Sequence, residues 1–94
     1  MTAQLTADDR LWPVTPGQLY AQPVDHHGIH RLHIDGYHGR ALIIPNAFGY
    51  LVTLEDGDGG VGYTQLAGPL PVVISVAETM LAGAARHTGI EVTR

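Results

Sequence analysis

The chain has 94 residues, 45% of them hydrophobic and only 15% charged, with a formal net charge of −4. That length predicts one domain over 1–94 with one core, and that composition excludes disorder, which needs low hydrophobicity and high charge. An acidic balance gives no bulk attraction to nucleic acid or to anionic lipid. Cysteine is absent, so a disulfide framework, a thiolate metal site and a thiol nucleophile are all excluded. All five basic residues are Arg. With abundant Ala, Gly and Pro, this predicts a GC-rich coding genome, such as that of an actinobacterium or one of its phages. No run of residues approaches the roughly 20 apolar positions of a membrane span, and Met1–Arg10 lacks a basic start and apolar middle. The expected location is the cytoplasm.

Residues 1–28 read as irregular, with one short helix. Thr15-Pro16-Gly17-Gln18 has the form of a capped helix start and predicts a single turn from Pro16 to about Tyr20, ended by Pro23. Leu11, Trp12 and Val14 are expected to pack onto the domain.

Strand patterning begins at Ile29. Ile29–Ile34 and Tyr37–Ile44 flank Asp35-Gly36, a pair suited to a two-residue type I′ turn. Pro45-Asn46-Ala47 should break the strand. Tyr50–Glu55 and Val61–Ala67 flank the loop Asp56-Gly57-Asp58-Gly59-Gly60. That loop resembles half of a calcium loop, but position 12 counted from Asp56 is Ala67 and not Glu, so a flexible hairpin connection is the better reading. Leu70–Ile74 reads as a strand or an extended lead-in. Ser75-Val76-Ala77-Glu78 has the form of a capping box, and apolar residues at helical spacing follow. They predict a helix over 76–88, closed by Gly89. The expected fold is α+β: a four-stranded antiparallel meander over 29–67, followed by one C-terminal helix packed on one sheet face. Ile90–Thr93 could add an edge strand.

Five of the six histidines lie within residues 26–38. In the predicted hairpin the side chains alternate between faces. His30, Leu32, Ile34, Tyr37, Ala41 and Ile43 share a core face. Ile29, Arg31, His33, His38, Arg40, Leu42 and Ile44 share the other. Arg31 opposite Arg40 would place like charges face to face and call for a nearby anion: Asp35, Asp25, Glu55, or a group outside the protein. Arg31, His33, His38 and Arg40 are therefore the candidate binding residues, with the two His tuning the contact by pH.

No catalytic residue, metal ligand set or cofactor motif is recognisable. The function expected is a small non-enzymatic protein-interaction module, an accessory or phage-encoded factor that binds another protein and forms a homodimer. One alternative is a nucleic-acid-binding module using the Arg/His hairpin face. A second is a His-dependent metal-binding protein, with His33 and His38 joined by His26 or His27.

Overall fold

A computed structural model describes residues 16–56 and 60–93. Five strands precede one helix: β1 (Leu19–Gln22), β2 (His30–Ile34), β3 (Arg40–Asn46), β4 (Gly49–Glu55), β5 (Val61–Leu66) and α1 (Leu70–His87). The strands form one antiparallel meander in the order β1-β2-β3-β4-β5. Its α+β character agrees with the expectation from sequence. The strand count does not: there are five strands and not four.

The added strand is β1. A one-turn helix was expected over Pro16–Tyr20, but Gly17 sits at φ +82°, outside the helical region. Its N–H donates to the Asp35 carbonyl, and the Asp35 N–H donates to the Gln18 carbonyl. This exchange seats the chain beside the end of β2, and Leu19 then pairs with Ile34. Thr15, Leu11, Trp12 and Val14 lie outside the described residues.

The β2–β3 connection is also longer than expected. His33 pairs with Arg40 and Leu32 with Ala41, which leaves the five residues Asp35–Gly39 between the strands. The Tyr37 N–H donates to the Ile34 carbonyl, and positive φ occurs at Gly36 but at no non-glycine residue. A type I′ turn needs positive φ at both central residues, so Asp35-Gly36 does not form one. The register therefore moves by two residues. A two-residue shift preserves the alternation, so the predicted faces survive. The opposition of Arg31 to Arg40 does not.

Pro45 and Asn46 remain within β3, and Ala47-Phe48 make the turn. The reason lies in hydrogen-bond parity. The Asp56 N–H donates to the Gly60 carbonyl, which fixes the even residues of β4 as those bonded toward β5. The even residues of β3 are then those bonded toward β4, and the Pro45 nitrogen points to the β2 side. The β2 ladder stops at His30–Ile43, so no donor is missed there.

The helix starts at Leu70, six residues before the expected Val76. Pro69, extended at φ −68° and ψ 145°, is the N-cap, and Pro71 falls in the first turn, where its missing N–H costs nothing. Ser75 is thus interior and not a cap; its carbonyl accepts from the Thr79 hydroxyl. Val73, Ala77, Leu81 and Ala85 recur every fourth residue and are buried against the sheet. The small side chains at 77 and 85 let the helix lie close. Opposite them, the core face of the sheet presents Leu19, Leu32, Ile34, Ala41, Ile43 and Val52. Thr88 caps the C-terminus and Gly89 follows at φ +91°. The tail returns beside β1, where Leu19 N–H donates to the Thr93 carbonyl and Thr93 N–H to the Gly17 carbonyl. Thr93 makes an isolated parallel bridge with Gln18 and no further strand. Among the described residues, no helix is long and apolar enough to cross a membrane.

Candidate interaction surface

One helix covers one face of a five-stranded sheet. The second face takes the alternate residues of each strand, and its centre is apolar. Leu42 pairs with Thr53 and Ile44 with Leu51 across β3 and β4, and Thr53 pairs with Tyr63 on β5. Tyr63 is 69% exposed and Val61 51%. Phe48, at the β3–β4 turn that ends this strip, is 80% exposed. Thr53 is buried at the middle, and its hydroxyl has no hydrogen-bond partner.

Polar groups ring this centre and satisfy one another. Asn46 and Gln65 exchange side-chain amide hydrogen bonds at 2.8 and 3.1 Å. Arg40 Nε donates to Glu55 Oε1 at 3.1 Å, as expected of residues directly paired on β3 and β4. Arg31 Nη1 donates to Asp25 Oδ2 at 2.6 Å. Asp25 organises the β1–β2 connection as well: its Oδ1 accepts from the His27 and Ile29 backbone N–H groups. The Arg31 hydrogen bond, then those from the Ile29 and His27 amides, outweigh partial burial and hold the Asp25 carboxyl down at about 2.

The four predicted binding residues separate. Arg31, His33 and Arg40 share the open face, with His33 paired to Arg40 and its ring stacked on Tyr20 at 5.8 Å. His38 is exposed in the Asp35–Gly39 loop. Each arginine has a carboxylate of the protein itself, and these are two of the three internal candidates the sequence offered. His26 and His27 pack ring to ring at 3.9 Å in the β1–β2 connection. No group of three or more His, Asp or Glu among the described residues is placed to hold a metal ion.

Sequence reasoning placed Leu42 and Ile44 on this face but missed Leu51, Thr53, Val61 and Tyr63. On β4 the even residues Tyr50, Val52 and Leu54 are apolar, while the odd set runs Leu51, Thr53 and Glu55, so alternation puts the even set toward the core and leaves Leu51 as an apolar residue on the other face. Leu51 was itself the available signal, because a strand covered on one side only otherwise reads polar on the other. Comparison with family models, with curated proteins and with solved structures gives no match.

Proposed function

We propose that this protein is a small non-enzymatic interaction module whose open sheet face binds another protein, as an accessory or phage-encoded factor of a GC-rich bacterium. One observation carries the reading. A sheet face that no element among the described residues covers has an apolar centre, Leu42, Ile44, Leu51 and Tyr63, inside a rim of polar side chains already paired with each other. Apolar centre and satisfied polar rim are the anatomy of a protein–protein contact. Binding there desolvates little unpaired charge, because Arg31 and Arg40 keep their carboxylates. The same pairing leaves phosphate or nucleic acid with less to recognise, since it must compete with Asp25 and Glu55 for both guanidinium groups.

The test is affinity capture from a lysate of the source organism, comparing wild type, Ile44→Thr/Leu51→Thr and Arg31→Ala/Arg40→Ala. Thr has the β-branched shape suited to a strand and removes apolar surface at both positions. The first variant should lose the captured partner with its circular dichroism unchanged. The second should retain most of it. Retention by Ile44→Thr/Leu51→Thr together with loss by the arginine variant would move the contact to the charged end of the face. Retention by both would refute the face altogether.

A further inference from the structure

We propose that two copies of this chain pair edge to edge through β5, in antiparallel register about Tyr63, to make one continuous sheet. The strand order leaves β1 and β5 at the edges. The two edges differ. β1 has four residues, its first half is bonded to the Thr93 segment, and Pro23 follows it. β5 has six residues, Val-Gly-Tyr-Thr-Gln-Leu, and its pairing with β4 runs without a bulge. It contains no charged residue and no proline. Charge, proline, bulging, shortness and a covering segment are the devices that keep natural sheet edges from pairing, and among the described residues β5 has none of them.

Backbone parity shows what that edge offers. Gly62, Thr64 and Leu66 are bonded to β4, in step with the Asp56–Gly60 hydrogen bond. Val61, Tyr63 and Gln65 therefore point their N–H and C=O groups outward. These residues are spaced evenly about Tyr63, so a second β5 running the opposite way matches donor to acceptor at each one. Tyr63 meets the copy's Tyr63, and Val61 meets its Gln65 on both sides of a two-fold axis. Each such pair exchanges two hydrogen bonds, and the two tyrosine rings form a cross-strand aromatic pair. The backbone match is open to any extended strand, and it is the on-axis pairing of two exposed Tyr63 rings that favours a second copy over an unrelated peptide. The axis stands perpendicular to the sheet, so both helices lie on one side and the two open faces merge on the other. The contact is isologous and closed, as in most small dimers. It is independent of Ile44 and Leu51.

Sedimentation equilibrium of the full chain across a wide micromolar range tests this, together with amide hydrogen exchange at low and high concentration. Mass should rise from 10.1 kDa toward twice that value. The Val61, Tyr63 and Gln65 amides should gain protection with concentration, while those of Gly62 and Thr64 are protected throughout. Tyr63→Lys sets two ammonium groups against each other at the axis and should weaken association by about 10-fold or more, with the fold retained because Tyr63 is largely exposed. Ile44→Thr/Leu51→Thr should dimerise like wild type, which separates this result from loss of partner capture. A monomer at every concentration overturns the proposal. So does a dimer unaffected by Tyr63→Lys, or concentration-dependent protection on α1 or on β3.

Discussion

Ile43 and Ile44 are neighbours on β3 and face opposite sides of the sheet, so alanine at each should have different consequences. Ile43 is fully buried between the helix and its strand partners His30 and Val52. Truncation to Ala removes three carbons. At about 0.8 kcal/mol per buried methylene, the transfer loss is about 2.4 kcal/mol. An enclosed site under a helix collapses incompletely, and a residual cavity of ~50 Å³ adds about 1.2 kcal/mol. The expected cost is therefore about 3–4 kcal/mol, from a total stability of order 5–14 kcal/mol for this length. Ile44 is half-buried on a face that no element among the described residues covers, so its removal leaves no closed cavity and should cost about 1 kcal/mol. The lower strand propensity of Ala enters both variants and cancels in the comparison. Urea unfolding reads the difference: with a slope near 1 kcal/mol per M, the midpoint should fall by about 3 M for Ile43→Ala and about 1 M for Ile44→Ala. Should Ile43→Ala fail to fold, Ile43→Val against Ile44→Val preserves the contrast, at about 1 kcal/mol against a few tenths. Equal costs, or the reverse order, would mean a β3 register slipped by one residue and would refute the assignment of faces.

Thr53→Val should raise stability by about 1 kcal/mol, because it removes a buried hydroxyl without a partner at nearly constant volume; a lower urea midpoint would show that the hydroxyl is bonded after all. Gly83→Ala should stabilise by about 0.5–1 kcal/mol, since Gly83 is exposed within α1 and an added Cβ meets nothing. Gly49→Ala should destabilise by more than about 1 kcal/mol: φ is +129° and the new Cβ would run into the Leu66 carbonyl, so thermal melting should separate the two glycines in sign. Asp25 has its carboxyl depressed from 3.8 to about 2, so its contribution is present above the unfolded value and lost as pH falls through that window. Asp25→Asn should therefore be less stable near neutrality and show a flatter profile between those pH values, read from urea midpoints; an unchanged acid slope would contradict the Arg31 contact.

Local chemistry alone determined much of this protein. The turn residues around Asp35-Gly36 and Asp56–Gly60, with apolar alternation between them, located β2 to β5, because a half-covered strand has a period of two and glycine marks where it must turn. The split of residues 30–44 between two faces was legible for the same reason, and it survived a longer loop because a shift of two leaves parity unchanged. Tertiary structure decided the rest. Leu19–Gln22 carries no strand signal of its own; it is a strand because Ile34, His33 and Leu32 lie ready to pair with it. Val72-Val73-Ile74 reads as β-branched strand, yet Val73 extends the buried stripe of Ala77, Leu81 and Ala85, and burial outweighs a propensity of a few tenths of a kcal/mol. The partners of Arg31 and Arg40 depend on which chain segments the fold brings alongside, Asp25 through a connecting loop and Glu55 across a strand pair. The second sheet face and the β5 edge are likewise properties of layering and strand order, because among the described residues one helix covers a single side of the sheet and the meander ends on its last strand.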